Sequence, residues 1–505
     1  MRPTSLLLAC LFAASLPVQA ATSLLLQNAR IIDGTGKAAF NGDVRLESGR
    51  ISALAAHLEP RPGEERRDVR GLTLAPGFID MHSHADRGLL QDLDAATQTR
   101  QGLTTMLVGQ DGQSNFPLKD WLAKLESTPA AINVASMVGH ATVRQQVMGK
   151  DLFRPATPAE VQKMKGVLAT ELLAGGFGIS TGLEYEEAHF STTAEVIELS
   201  RVAAGSKGFY ISHVRDEGND VFKSFEEILA IGRDAKLPVE ITHIKLAAPG
   251  VWHQAAARMP AIFARARQEH INLRADVYPY TYWHSTIRVL VTDRDFFNPA
   301  KVAKGLADNG GAQNIRLAKY TPDPGVAGKT LAEIAKIWKM SEVDAYMRIV
   351  KATLAEVASP DVDMESIIGA SMTEDDVRWF IDQTQIAFCS DGELHGAHPR
   401  GAGSFPRVLG RYVREQKVLP LEQAVHKMTG LPASYLGLAD RGRIAPGMVA
   451  DLVLFDAATV LDQSTIEHPE AAPVGIPYVM TSGEWVIAEG KPTGHHPGKV
   501  LRPAH

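Results

Sequence analysis

The chain has 505 residues, of which 45% are hydrophobic and 22% are charged, so it can bury a large core and does not have the composition of a disordered protein. Its formal net charge is -6 and its Lys and Arg residues form no clustered block, which argues against nucleic acid as the main partner. The length predicts one large catalytic domain and a second, smaller unit.

Residues 1–20 have the pattern of a secretory signal peptide, in which the apolar stretch 6–16 precedes a cleavage site at Val18-Gln19-Ala20. The apolar stretch is too short for a stop-transfer helix, so we expect an exported protein, periplasmic or secreted, without stable membrane association. A lipoprotein modified at Cys10 is the alternative. After removal of the signal peptide only Cys389 remains, so the mature chain forms no internal disulfide.

Short segments that alternate like β-strands stand near both ends of the mature chain. The amino-terminal segments are 23–30, 43–46 and 51–55, and the carboxyl-terminal ones are 450–455, 474–479 and 484–488. Since a long α/β stretch separates the two groups, we expect both ends, 21–75 and 441–505, to build one small β domain.

The stretch 76–440 repeats a short apolar run about every 30 residues, which is roughly the size of one strand-plus-helix unit. Seven runs end near residues 84, 108, 140, 181, 213, 243 and 278, and an eighth covers 385–391. Eight such units predict a TIM (β/α)8 barrel, with an insertion at about 292–372 between strands seven and eight. A doubly wound open sheet is the structural alternative, but the chain lacks a Gly-rich dinucleotide fingerprint.

Histidines and one aspartate follow the predicted strands at the points where a TIM barrel carries its active site. His82 and His84 lie on strand one and face the same side, because alternate residues of a strand do so. His213 and His243 close strands five and six, and Asp391 follows strand eight. Imidazole and carboxylate groups are ligands for Zn²⁺, so these residues predict a metal site.

This pattern resembles the amidohydrolase superfamily, whose members place H-x-H on strand one, His on strands five and six, and Asp on strand eight. Further segments resemble N-acyl-D-amino-acid deacylases (D-aminoacylases), and they span the mature chain: 102–105, 139–140, 178–185, 242–245, 276–281, 398–400 and 447–453. The resemblance implies a metal-dependent hydrolase with one or two Zn²⁺ ions per chain. Its substrate would be a small N-acyl-D-amino acid, cleaved at the amide bond.

The chain departs from the D-aminoacylase pattern after strand two. Better-known members carry a zinc-binding Cys in an Asn-Cys-Gly segment, whereas this chain has Gln110-Asp111-Gly112. Superfamily members with two metals bridge them with a strand-four carboxylated lysine or carboxylate, and Glu184 resembles that group. We therefore predict Glu184 as the anionic ligand, with Asp111 as its close competitor, beside the ligands His82, His84, His213, His243 and Asp391.

The resemblance also implies roles in substrate binding and catalysis. It assigns the α-carboxylate to Lys245, Arg288 and Tyr185, with Tyr278 and Arg400 as further candidates, and Arg offers a carboxylate a planar fork. Asp391 is expected to be the catalytic residue that shuttles the proton from water to the leaving amine.

Three other functions stay open at this point. A cyclic-amide hydrolase of the hydantoinase or dihydroorotase type and a dipeptidase of the same superfamily would share the metal chemistry. A non-catalytic barrel that only binds a ligand would not need a proton shuttle. Lys245 and Arg288 favour an open N-acyl amino acid as the substrate, and the sequence favours no particular oligomeric state.

Overall fold

The structure is a computed structural model that describes residues 23–355 and 364–504. Five strands come first in this part of the chain. The strands are β1 (Leu24–Ile31), β2 (Phe40–Glu47), β3 (Arg50–Ala55), β4 (Glu65–Asp68) and β5 (Thr73–Pro76). β1 pairs antiparallel with β2 and parallel with β4 and β5. Alternate apolar side chains such as Leu26, Val44 and Leu74 bury one face of this sheet. The predicted signal peptide at 1–20 lies outside the described residues.

The next strands occupy seven of the eight strand positions of a parallel barrel. We call each position a stave, and β8 and β9 together form the third one. They are β6 (Phe78–Asp80), β7 (Leu103–Val108), β8 (Asn133–Ser136), β9 (Val138–Gly139), β10 (Gly178–Gly182), β11 (Phe209–His213), β12 (Val239–Ile241) and β13 (Leu273–Val277). Each stretch is short and almost wholly buried, as expected for strands covered by helices on the outside.

Helices follow these strands and pack on the outside of the barrel. They are α1 (Ala96–Thr99), α2 (Leu118–Ser127), α3 (His140–Met148), α4 (Pro158–Leu173), α5 (Glu186–His189), α6 (Thr193–Gly205), α7 (Val221–Ala235) and α8 (Ala255–Gln268). Thr157 and Thr192 begin α4 and α6 by accepting hydrogen bonds from backbone N–H groups of the first turn.

An inserted unit separates β13 from the last barrel strand and has a hydrophobic cluster of its own, which includes Leu306, Ile334 and Tyr346. Its elements are β14 (Tyr282–Ser285), α9 (Pro299–Asp308), β15 (Ile315–Tyr320), α10 (Leu331–Trp338), α11 (Glu342–Ala355) and β16 (Glu365–Ala370). The strands form an antiparallel sheet in the order β14-β16-β15. The insertion was predicted at about 292–372, and its sheet begins earlier, at Tyr282. Short 3₁₀ turns cover Pro249–Val251, Ile287–Leu290, Ala312–Asn314 and Pro324–Val326.

The eighth stave closes the barrel. After α12 (Glu374–Asp382), β17 (Ile386–Phe388) pairs in parallel with β13. The chain beyond β17 then meets the chain beyond β6, where the Asp391 N–H donates to the His82 carbonyl at 2.8 Å and the His84 N–H donates to the Gly392 carbonyl at 2.8 Å. This closure confirms the predicted TIM barrel over the open sheet. The helices α13 (Arg400–Arg407), α14 (Leu421–Met428) and α15 (Gly430–Leu436) follow, with a π-helix at Val408–Glu415.

The last strands return to the first sheet. They are β18 (Leu452–Phe455), β19 (Tyr478–Thr481), β20 (Glu484–Ala488) and β21 (Lys491–Pro492), and β18 pairs antiparallel with β5. Both chain ends therefore share one sheet of nine described strands, as predicted. The segment predicted from Val474 becomes a strand only at Tyr478. In the part of the chain that the structure describes, no helix is long and apolar enough to cross a membrane.

Candidate metal centre

Six ionisable side chains meet at the carboxyl-terminal end of the barrel, and none of the six residues is more than 8% exposed. They come from the ends of staves one, two, five, six and eight, which lie far apart in the sequence. The six are His82, His84, Asp111, His213, His243 and Asp391. Five of them were predicted as metal ligands, and the sixth, Asp111, was predicted as the close competitor of Glu184 for the anionic ligand.

The first half of the cluster is formed by His82, His84, Asp111 and Asp391. The Nε2 atoms of the two histidines lie 3.3 Å apart. Asp111 places Oδ1 3.4 Å from His82 Nε2 and Oδ2 3.4 Å from His84 Nε2. From the other side, Asp391 Oδ1 lies 3.5 Å and 3.4 Å from the same two nitrogens. Five donor atoms of four side chains thus lie close together.

The second half is formed by His213 and His243, and Asp111 reaches it too. His213 Nδ1 lies 3.2 Å from His243 Nε2. Asp111 Oδ1 is 3.5 Å from His243 Nε2, and its Oδ2 is 3.8 Å from His213 Nδ1. The Tyr185 hydroxyl lies 3.3 Å from His213 Nδ1 and 3.4 Å from Asp111 Oδ2. Asp111 therefore contacts all four histidines.

Two carboxylates below the cluster hold the backbone of its ligands, and the sequence analysis missed both. Asp80 accepts hydrogen bonds from the N–H groups of His82 and Ser390, at 3.1 and 2.9 Å. Asp276 accepts one from the His243 N–H at 2.6 Å. Burial raises the pKa of Asp80 to about 7, although those hydrogen bonds oppose the rise. The available signal was strand alternation, because Asp80 lies two residues before His82 and faces the same side.

Glu184, the predicted anionic ligand, lies outside the ring of donors that surrounds Asp111. Its Oε2 is 2.8 Å from His213 Nε2, whereas the other ring nitrogen, Nδ1, faces Asp111. The geometry therefore does not favour Glu184 as the central anion. It places this carboxylate behind His213, at the ring nitrogen that points away from the cluster.

His243 has a similar carboxylate behind it, Glu217, which no motif had indicated. Glu217 Oε1 lies 3.2 Å from His243 Nδ1, the nitrogen that faces away from Asp111. Lys245 Nζ donates to both Glu217 oxygens at 2.7 and 2.9 Å and lies 2.7 Å from His243 Nδ1. Lys245 was predicted to bind substrate, and the structure brings it beside the cluster as the partner of a buried carboxylate.

Tyr278 and Arg400, two further predicted substrate-binding residues, lie on the Asp391 side of the cluster. Arg400 Nη1 is 2.7 Å from Asp391 Oδ2, and its guanidinium carbon lies 4.8 Å from the centre of the Tyr278 ring. Lys245 Nζ lies 5.6 Å from the same ring. Among the described residues, neither the Tyr278 hydroxyl nor Arg400 Nε has a hydrogen-bond partner.

Arg288, the remaining predicted substrate-binding residue, belongs to the inserted unit. Its Nη1 lies 3.2 Å from Glu186 Oε2, and its side chain is about a quarter exposed, at 27%. The structure thus pairs it with a carboxylate of the segment after stave four and does not bring it against the histidines.

The family model for the amidohydrolase family matches residues 65–285 and 379–487. The chain belongs to the amidohydrolase family. It is 35% identical to the N-acyl-D-glutamate deacylase of Alcaligenes xylosoxydans xylosoxydans over 96% of this chain and 97% of the relative. The D-aminoacylase of the same organism is also 35% identical, over 95% of this chain and 97% of the relative.

Solved structures agree with these sequence relatives. The N-acyl-D-glutamate deacylase of Bordetella bronchiseptica, crystallised with zinc and a phosphonate mimic of the tetrahedral intermediate, matches with a TM-score of 0.84 and 34% identity. That match covers 96% of this chain and 100% of the other. A D-aminoacylase crystal structure matches with a TM-score of 0.83 and 33% identity over 95% and 99% of the two chains. The predicted family and fold are confirmed.

The charges of this amidohydrolase suit a cation. Burial alone would raise the pKa of Asp391, but Arg400 and the neighbouring histidines hold that pKa well below its usual range. The pKa of Asp111 is lowered in the same way, chiefly by His82 against the effect of burial. Both carboxylates are therefore anionic, and they face ring nitrogens in a buried site.

The donor set also fits the zinc that the family implies. Within the described residues, three groups of side chains could hold a metal ion: His82, His84 and Asp391; His82, Asp111 and His243; and His213, Glu217 and His243. They offer imidazole nitrogen and carboxylate oxygen, which are common ligands of Zn²⁺. Asp111 Oδ1 is buried and, among these residues, accepts no hydrogen bond, so a cation would satisfy it.

Proposed function

We propose that this amidohydrolase hydrolyses the amide bond of N-acyl-D-amino acids and releases a carboxylic acid and a free D-amino acid. The observation that carries the proposal is the buried cluster of four histidines and two aspartates at the catalytic end of the barrel. It occurs in a chain that aligns over nearly its whole length with N-acyl-D-glutamate deacylase and D-aminoacylase.

His82, His84, His213, His243 and Asp391 would hold the metal, and their nitrogen and oxygen donors lie within contact of one another. Zn²⁺ bound there supplies a Lewis acid, which lowers the pKa of water from 15.7 to about 7 and polarises an acyl carbonyl. The protein contributes a buried, preorganised set of ligands, so little reorganisation is needed when substrate arrives.

Asp391 moves the proton in this reaction. The oxygen of water bonds to the acyl carbon while an Asp391 oxygen accepts the proton that water loses. Asp391 then donates that proton to the amide nitrogen as the C–N bond breaks, so the nitrogen leaves as an amine. Asp391 lies between His84 and Arg400, whose contacts keep it anionic, and the anion is the form that can accept a proton.

The substrate carboxylate binds at the Tyr278 side of the cluster. Arg400 Nε and the Tyr278 hydroxyl are buried polar atoms with no partner among the described residues, so an anionic group would satisfy both. Lys245 Nζ lies 5.6 Å from the Tyr278 ring and is proposed as a further contact for that carboxylate, whereas Tyr185 lies beside His213. Arg288 is proposed as a more distant contact, reached from the inserted unit.

Export is the final part of this proposal. Residues 1–20 combine an apolar stretch with a cleavage site of small residues, which supports a signal peptide and a periplasmic or secreted enzyme. Such an enzyme would meet N-acyl-D-amino acids from the cell envelope or from the surroundings.

A substrate panel tests the proposed reaction. Purified protein loaded with Zn²⁺ is assayed with N-acetyl-D-amino acids, their L-forms, a hydantoin, dihydroorotate and a dipeptide, with the Asp391→Asn variant as the blank. N-acetyl-D-amino acids should be hydrolysed at least about tenfold faster than the others, since a tenfold preference needs only about 1.4 kcal/mol of differential binding. Faster turnover of a cyclic amide or a dipeptide would show that this compound, and not an N-acyl-D-amino acid, is the preferred substrate. If none of the compounds is hydrolysed, the proposed reaction is wrong.

A further inference from the structure

We infer that Asp111 is the anionic metal ligand of this site, shared between its two halves, and that Glu184 only positions His213. The inference rests on the proposed metal-dependent function and goes beyond it by naming the central ligand. It also defines the centre as one of nitrogen and oxygen donors, since none of the side-chain groups among the described residues that could hold a metal includes a cysteine.

The first support is the position of Asp111. Its two oxygens lie 3.4 to 3.8 Å from ring nitrogens of all four histidines. Glu184 contacts His213 alone among them, at Nε2, which is the ring nitrogen on the far side from Asp111.

The second support is the size of the space that the donors enclose. With bonds of about 2.0 to 2.1 Å, two ligands of a tetrahedral zinc ion lie about 3.3 Å apart. His82 Nε2 and His84 Nε2 are separated by 3.3 Å, and each lies 3.4 Å from an Asp111 oxygen. Their distances to Asp391 Oδ1 are 3.5 and 3.4 Å. The separations among His82 Nε2, His84 Nε2 and Asp391 Oδ1 thus match one face of a tetrahedron, and an Asp111 oxygen lies at a similar distance from each of the two histidine nitrogens.

The third support comes from the second half of the site. His213 Nδ1 and His243 Nε2 lie 3.2 Å apart, and Asp111 approaches them with different oxygens, Oδ1 at 3.5 Å from His243 and Oδ2 at 3.8 Å from His213, so the three side chains border a second position. Catalytic zinc sites commonly have three protein ligands and one position left for water or substrate. Without Asp111 this position would have two histidines and no central anion.

The fourth support is the unfavourable state of Asp111 without a ligand. Its Oδ1 is buried and, in the part of the chain that the structure describes, no hydrogen bond reaches it. The backbone of Asp111 is also in the left-handed region, with φ at 54°. Such a conformation typically costs about 1–3 kcal/mol in a non-glycine residue and clusters at functional sites. A bound cation would satisfy the buried oxygen.

Metal binding without substrate tests the inference. Asp111→Asn and Glu184→Gln, two isosteric variants, are compared with the wild-type protein by elemental analysis and by competition with a chelator. Asp111→Asn should lose nearly all of its zinc. Glu184→Gln should retain zinc with an affinity reduced by about 10- to 100-fold at most, the usual effect of changing a group behind a ligand.

A second pair of variants, Asp111→Cys and Glu184→Cys, keeps the inference falsifiable if Asp111→Asn does not fold. After exchange with Co²⁺, a thiolate ligand adds an intense charge-transfer absorption. We expect this absorption in Asp111→Cys and not in Glu184→Cys.

Zinc retained by Asp111→Asn, or the charge-transfer absorption in Glu184→Cys alone, would overturn the assignment. If metal binding follows the expectation but no N-acyl-D-amino acid is hydrolysed, Asp111 stands as the ligand and the proposed reaction fails. The two conclusions are therefore tested separately.

Discussion

Replacing Glu217 by Leu should destabilise the protein strongly, because Glu217 is the buried partner of Lys245. The residues are 7% and 3% exposed, and Lys245 Nζ donates to both carboxylate oxygens at 2.7 and 2.9 Å. Removing one member of a buried ion pair typically costs about 3–5 kcal/mol, since the remaining charge stays buried and unpaired. Lys245→Met should cost a comparable amount. The double variant Lys245→Met/Glu217→Leu carries neither charge and should recover most of the lost stability.

Denaturant unfolding of the wild-type protein and these three variants measures the coupling free energy between the two positions. We expect it to be at least about 3 kcal/mol, the upper end of the range found for residues in contact, because each single loss is large and the double variant regains most of it. The double variant should nevertheless stay poorly active, because His243 Nδ1 has lost Glu217, its carboxylate 3.2 Å away. Additive losses, with a coupling below about 0.5 kcal/mol, would refute the buried pair. Full activity in the double variant would show that Glu217 is not needed to hold His243.

Three other outcomes can be checked independently. Burial lowers the pKa of Lys427 to about 7. Above that pH, the unfolded chain therefore binds more protons than the folded one. The Lys427 side chain should then raise the free energy of unfolding by up to about 1.4 kcal/mol per pH unit between pH 7 and 9. Thermal unfolding should show this rise in the wild-type protein and not in Lys427→Met. Asp391→Asn should keep most of its metal by elemental analysis. Its turnover should fall roughly 10²- to 10⁴-fold, the usual contribution of a proton-transfer group to the rate. Turnover at the wild-type rate would show that Asp391 does not transfer the proton. Amino-terminal sequencing of protein from its native host should begin near Ala21, whereas a lipid-modified start at Cys10 would indicate membrane anchoring.

The barrel and much of its site could be predicted because both leave local, repeated signals. His82, His213 and Asp391 lie at or within three residues after the ends of staves one, five and eight, so polar residues mark these ends in the sequence itself. The terminal strands were equally visible from their alternation. Their pairing across the whole chain followed from the requirement that a short sheet needs partners.

The central position of Asp111 could not be predicted in this way. Gln110-Asp111-Gly112 suits an ordinary tight turn, so the sequence named Asp111 only as the competitor of Glu184, whereas its carboxylate approaches the histidines of staves five and six. That approach joins stave two to staves five and six, and no local pattern encodes such a contact between distant segments. Glu217 escaped notice for the same reason, since its contacts with Lys245 and His243 join two different loops.

The closure of the barrel and the geometry of the metal centre depend on the same hydrogen bonds. Staves one and eight are joined where the Asp391 N–H donates to the His82 carbonyl, and both residues are proposed ligands. One Asp80 oxygen accepts from the backbone of His82 and of Ser390, and so links the two staves below their ligands. Any displacement of one stave relative to the other would therefore change the 3.5 Å separation of His82 Nε2 and Asp391 Oδ1. Because a small error in ligand position costs much of a metal site's affinity, the buried core that stabilises the barrel also sets the geometry in which Asp391 can exchange a proton.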